Sequence, residues 1–142
     1  MISNPKDPST EKKINTFRCT LAPWLAVDDS IAALAFYQKA FGATEIYRLD
    51  TLDAVLANLS IEGAEFWMSD EAPQEGSYSP KTLGGGSVRM ILTVQDPDAV
   101  LDLAIAAGAT LVYPVEESHG WRIGCVEDPF GHRWEIGHPL TH

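Results

Sequence analysis

The chain has 142 residues, with ten Lys and Arg against twenty Asp and Glu, a formal net charge of −10, and 45% hydrophobic residues. That length is one domain's worth and buries a core without metal or disulfide staples. The acidic balance argues against nucleic acid and anionic membrane surfaces, which both select for Lys and Arg, and no run reaches the roughly 20 apolar residues of a membrane span.

The first segment, Met1 to Asn15, is polar and lacks the apolar stretch of a secretory signal; a disordered tail is expected over residues 1–16. A single domain is expected over 17–142, with module one at 17–70, a linker at 70–86 and module two at 87–139. Leu21, Pro23, Leu25 and Val27 alternate, which predicts a strand with one face on a core. Asp28 or Asp29 then caps a helix whose apolar stripe is Ala33, Leu34, Tyr37 and Phe41, and Gly42 closes it. Strands are predicted at Thr44–Leu49, Ala54–Ile61 and Ala64–Ser69, with Glu62-Gly63 as a tight turn. The Pro-, Gly- and Ser-rich stretch from Asp70 to Gly86 is expected to be a loop, either covering a site or making a dimer contact.

The second half repeats the first. Phe41-Gly42-Ala43-Thr44-Glu45-Ile46-Tyr47 matches Ala107-Gly108-Ala109-Thr110-Leu111-Val112-Tyr113 at a shift of 66 positions. Val88, Met90, Leu92 and Val94 alternate along a strand, and Asp96-Pro97 opens a helix that Gly108 ends. Strands follow at Thr110–Val115, Trp121–Glu127 and His132–Gly137, with Asp128-Pro129-Phe130-Gly131 as the last turn. The plan is β-α-β-β-β twice, an α+β fold. Cys19 and Cys125 are too few and too far apart for a disulfide framework or zinc motif, and read as reduced thiols of a cytoplasmic protein.

Val27-Asp28-Asp29 with Phe36-Tyr37-Gln38-Lys39-Ala40-Phe41-Gly42-Ala43 resembles the opening of a vicinal oxygen chelate module, the glyoxalase, bleomycin-resistance and extradiol dioxygenase superfamily. Gly120-Trp121-Arg122-Ile123-Gly124-Cys125-Val126-Glu127-Asp128-Pro129-Phe130-Gly131-His132-Arg133-Trp134-Glu135 is similar to the closing motif of its PhnB-like branch. The resemblance implies tandem modules forming a curved, cup-shaped mixed sheet with helices outside, and commonly a homodimer. In catalytic members it also implies a divalent metal held by one side chain on the first and last strand of each module. Glu135 matches the last of these. A step back of 67 from Glu135 and from Arg89 completes the set as Ala22, Met68, Arg89 and Glu135.

Alanine and protonated arginine offer no lone pair to a cation, and a thioether is a poor ligand for zinc, nickel or magnesium. The usual metal site therefore reads as lost; no cofactor is expected, with a divalent metal kept as an open alternative. Strand alternation places Ala22, Trp24 and Ala26 in the cup with Arg89, Ile91, Thr93, Phe66, Met68, Arg133 and Glu135, an apolar and aromatic lining with a few charges. Arg89 and Glu135 are the candidate catalytic pair, as anion anchor and acid/base, or else an internal ion pair filling a vacated site. Trp24, Phe66 and Met68 are either stacking surfaces or ordinary core. His119, in a turn at the cup's mouth, is the one histidine kept as a candidate. His132 and Glu135 lie an odd number of residues apart, on opposite faces of a strand.

The expected partner is a small organic molecule. A metal-free lyase or isomerase leads, a sequestering protein of bleomycin-resistance type, whose acidic surface would favour cations, comes second, and a metal-dependent lyase or dioxygenase third. The sequence holds no phosphate loop and no nucleotide fingerprint.

Overall fold

Capping chemistry starts both long helices. The computed structural model, which describes residues 16–141, has Asp29 accepting from the Ala32 amide at 3.0 Å to open α1, Ser30–Phe41. Gly42 closes that helix at φ 66°, where a side chain would be strained. Asp96 accepts from the Ala99 amide at 3.1 Å, and Pro97 occupies the first turn of α3, Pro97–Ala106. This helix ends at Ala107 in right-handed geometry, so Gly108, expected as its cap, lies one residue beyond at φ 123°. All of the tail but residue 16, and His142, lie outside the described residues.

The strands are β1 Trp24–Val27, β2 Thr44–Asp50, β3 Val55–Ile61, β4 Ala64–Asp70, β5 Arg89–Thr93, β6 Thr110–Ser118, β7 Trp121–Glu127 and β8 Arg133–Pro139. They form two four-stranded sheets, ordered β1-β4-β3-β2 and β5-β8-β7-β6. In each, the first strand pairs parallel with the last and the other pairs are antiparallel. The architecture is thus two curved β-α-β-β-β modules in an α+β chain. The linker is more ordered than a loop. It carries a 3₁₀ turn at Pro73–Glu75 and a short helix α2, Pro80–Leu83, whose cap Ser79 is fully buried. The Glu71 carboxylate accepts from the Ser79 amide at 2.8 Å and the Thr82 hydroxyl at 2.9 Å.

One core serves both modules. Tyr37 of α1 sits edge-on to Phe66 of β4 at 5.2 Å, and Phe66 sits edge-on to Trp134 of β8 at 5.4 Å. Phe41 meets the same tryptophan at 4.7 Å. Asp128, in the turn before β8, is 3% exposed among these rings. Its Oδ1 accepts from the amides of Phe130 and His132, both at 2.9 Å, and its Oδ2 accepts from the Tyr37 hydroxyl at 2.5 Å and Trp134 Nε1 at 3.0 Å. Burial, and then the adjacent carboxylate, push the Tyr37 phenol well above its ordinary pKa, so it stays a donor.

The burial pattern corrects two sequence expectations. Phe66 and Met68 are 3% and 0% exposed, in the shared core, and do not line the cup. The pairs Asn58–Trp67 and Cys125–Glu135 occupy corresponding places, so the residue of module one that corresponds to Glu135 is Trp67, 68 positions earlier, and not Met68. Between these paired residues the β7–β8 hairpin holds nine residues and the β3–β4 hairpin eight, and an odd slip moves every following side chain to the other face.

The cluster around Asp128 predicts a large single-site effect. Asp128→Ala leaves four donors, three of them buried, without an acceptor and is expected to cost about 3 kcal/mol or more in urea unfolding, against about 1.5 kcal/mol for Tyr37→Phe. Equal, small losses for both would show that the carboxylate is not the junction described.

Candidate functional site

Each sheet has one face on the core and one open. The register places Ile91, Glu135, Cys125 and Tyr113 in a row straight across the open face of module two, one residue per strand. Trp24, Trp67, Asn58 and Tyr47 form the corresponding row of module one. The candidates Trp24, Arg89, Ile91, Thr93, Arg133 and Glu135 all fall on open faces, as strand alternation expects. Ala22 precedes β1 and is half-buried, and Ala26 is buried. His119 occupies the hairpin between β6 and β7 at φ 54°, its Nδ1 2.6 Å from the Ser118 hydroxyl.

Glu135 is the focus of the module-two row. Its side chain is 13% exposed, one carboxylate oxygen pairs with Arg89 Nε, and the other accepts from the Tyr113 hydroxyl at 2.8 Å. Partial burial, then the hydrogen bond to Glu135, push the Tyr113 phenol up to about 12. Cys125, beneath Glu135 on the neighbouring strand, is 2% exposed, and burial with the nearby carboxylate raises its thiol pKa. A thiol held protonated is a poor nucleophile.

Two clefts meet at Glu135 and Tyr113. The smaller, of about 480 Å³, is walled by Ile91, Trp121 and Ile123 and bounded by Ser118, His119 and Glu116. The larger, of about 980 Å³, runs between β1 and β5 and is lined by Trp24, Tyr78, Leu83, Arg89, Arg133 and Glu135 among others. The linker thus forms a wall of this cleft. His132, whose backbone is held by Asp128, places its Nε2 2.8 Å from the Ala26 carbonyl and joins the turn before β8 to β1. Trp121 lines the smaller cleft, while Arg122 reaches the opposite side to pair with Asp98 of α3 at 2.8 and 2.9 Å.

Tyr113 and Trp67 are absent from the sequence candidates. Tyr113 had a signal, the tyrosine shared by the two halves of the repeat; Trp67 was displaced by the one-residue slip. Trp67 stacks on Trp24 at 5.4 Å with planes 6° apart, and Trp24 Nε1 donates to Ser69 Oγ at 2.9 Å, which fixes the ring.

The donor set does not fit the divalent metal that the resemblance implies. With the corrected register the four positions are Ala22, Trp67, Arg89 and Glu135, and the one carboxylate is already engaged by a guanidinium and a phenol. Among the described residues no group of three His, Cys, Asp or Glu could hold an ion.

Comparison with known proteins places the chain. The sequence model of the glyoxalase/bleomycin resistance protein/dioxygenase superfamily matches residues 13–136. The uncharacterized protein Mb0911c of Mycobacterium bovis is 44% identical over 126 residues, covering 84% of this chain and 83% of that one. The crystal structure of TioX from Micromonospora sp. ML1 aligns with a TM-score of 0.66 at 26% identity, over 86% of this chain and 100% of that one. An Arabidopsis thaliana gene product, AT5G48480, aligns with a TM-score of 0.62 at 28% identity, over 86% and 98%. No described helix is long and apolar enough to cross a membrane.

The Tyr113–Glu135 bond is open to titration. An ultraviolet titration should show a tyrosine ionising near pH 12 that vanishes in Tyr113→Phe, and Glu135→Gln should bring it down toward 10. Because the folded pKa is raised, the stability this group contributes is complete below pH 10 and is lost as pH rises through about 12. An unchanged titration in Glu135→Gln would refute the coupling.

Proposed function

On the premise that the chain belongs to the glyoxalase/bleomycin resistance protein/dioxygenase superfamily, we propose that it is a small-molecule-binding protein that works without the superfamily's metal. One observation carries this reading: Glu135, at the position of the last ligand, has one oxygen accepting from the Tyr113 hydroxyl and the other in an ion pair with Arg89. A carboxylate so engaged is a scaffold for its neighbours rather than an acid/base or a metal ligand. It orients the Arg89 guanidinium at the larger cleft and holds the Tyr113 phenol between the two clefts. A ligand's flat apolar part lies on Trp24, a residue 52% exposed whose ring is fixed by Trp67 and Ser69.

This reading favours the sequestering role over the lyase or isomerase role. It keeps the PhnB-like branch and a cytoplasmic setting, in line with the two free cysteines. A homodimer is part of the proposal, because both rows stand open: Tyr47 is 49% exposed, Ile91 54% and Tyr113 39%. A second copy that covers these faces would complete the cup.

Three measurements test it. Untagged protein loaded in turn with nickel, zinc, manganese and ferrous iron, then dialysed, should retain far less than one equivalent; one equivalent per chain would overturn the ligand-position argument. Calorimetry with 2-naphthol should show binding that Trp24→Ala weakens by about tenfold, the scale of one lost aromatic contact, with the probe recovered unchanged. Equal affinity in the variant would remove Trp24 from the site. Sedimentation should give twice the 15.5 kDa chain mass, and a monomer at all concentrations would exclude the dimer.

A further inference from the structure

The parallel register between β5 and β8 sets Arg89 directly opposite Arg133. The two guanidinium stems therefore leave neighbouring strands on the same open face, about 5 Å apart at the backbone. Like charges placed opposite each other across a sheet are destabilising. The compensation here is partial. Arg89 meets Glu135 through Nε, and Arg133 meets Glu127 through Nε at 3.4 Å. The terminal amino groups of both arginines make no hydrogen bond among the described residues, and the two side chains are 67% and 56% exposed. The Arg133–Glu127 pair is exposed on both sides and contributes little to stability, so fold stability gives no reason to place a second arginine beside Arg89.

Both arginines line the larger cleft, as do Trp24 and Tyr78. With each Nε directed to a carboxylate, the terminal amino groups remain for the cleft. Paired planar forks match the geometry of a carboxylate, phosphate or sulfonate, whose oxygens accept several N–H bonds at once. We propose that Arg89 and Arg133 form a clamp for one oxyanion, and that the ligand is a flat aromatic compound carrying that group. The idea rests on the small-molecule reading above and narrows it to a substrate class. It also runs against the chain's net charge of −10, which repels anions at long range, so recognition must come from contact within the cleft.

The test compares matched probes on the full-length chain by calorimetry: 1-naphthoate, 1-naphthyl phosphate, neutral 1-naphthalenemethanol and cationic 1-naphthylmethylammonium. At least one anionic probe should bind about tenfold or more tightly than the neutral one, the scale of a charge-assisted bond. The tighter of the two anions identifies the oxyanion class. Arg133→Met should remove that advantage and leave the neutral probe's affinity unchanged, while Arg133→Lys, which keeps charge and loses the fork, should restore only part of it. Thermal unfolding of Arg133→Met should match or exceed the parent. Equal binding of neutral and anionic probes, or preference for the cation, would overturn the clamp and leave the small-molecule reading intact. Binding of none of the four would overturn both. A clear loss of stability or of the dimer in Arg133→Met would assign the pair to structure.

Discussion

The Asp128 carboxylate is the junction on which the arrangement of the chain depends. One of its oxygens shapes its own turn through two backbone amides, and the other holds a hydroxyl from α1 of module one and an indole from β8 of module two. A buried ionised group is tolerable only when its lone pairs are met, and four donors meet them here. The demand works in both directions. Tyr37 and Trp134 are almost wholly buried, and each needs an acceptor that the surrounding rings of Phe36, Phe66 and Phe130 cannot supply. Through His132, the same turn also reaches the free edge of β1.

The shared core has a direct consequence for function. With the helix-covered sides of both sheets spent on one another, the opposite sides are left as open surfaces, each crossed by a four-residue row. The two rows occupy equivalent places and differ in chemistry. Module one offers stacked indoles, an amide and a phenol; module two offers an aliphatic side chain, a carboxylate, a thiol and a phenol. One row is suited to contact with a flat apolar surface and the other to orienting charge. The linker packs onto the second module, where Pro80 would stand 2.8 Å from a Cβ at Gly131, and so walls the cleft between β1 and β5. Glycine is required there by close approach as well as by its φ of 95°.

Much of this fold was legible in the sequence because its signals are local. Capping aspartates, alternation along β5, and a repeated Gly-Ala-Thr with a following tyrosine are each read within a few residues, whereas β1 begins only at Trp24, so that Leu21, expected on the core, is exposed. What was hidden is relational. Whether Met68 or Trp67 faces the cup depends on how many residues one hairpin holds relative to its counterpart, and the turn residues Glu62-Gly63 and Asp128-Pro129-Phe130-Gly131 do not themselves fix that number. The role of Asp128 was equally invisible, because its partners Tyr37 and Trp134 lie far from it or on another strand. Gly108 failed as a helix cap for a smaller reason: α3 closes with right-handed geometry at Ala107, and the left-handed step comes one residue later.

The candidate pair Arg89 and Glu135 was found by the position of the last ligand, and the structure changes what the pair means. An arginine on the first strand and a glutamate on the last would neutralise each other if nothing else stood near. Tyr113 breaks that symmetry by donating to the second carboxylate oxygen, so the glutamate is shared between two partners while the arginine's terminal donors are not used. Arg133 then adds a second incompletely used guanidinium on the neighbouring strand. The open face of module two thus carries two carboxylates, each in an ion pair with an arginine through Nε, and two guanidinium groups whose terminal amino groups make no hydrogen bond among the described residues. A surface of that kind has a local preference for anionic ligands even though the molecule as a whole is acidic, because hydrogen-bond geometry acts at contact and net charge acts at a distance that salt screens.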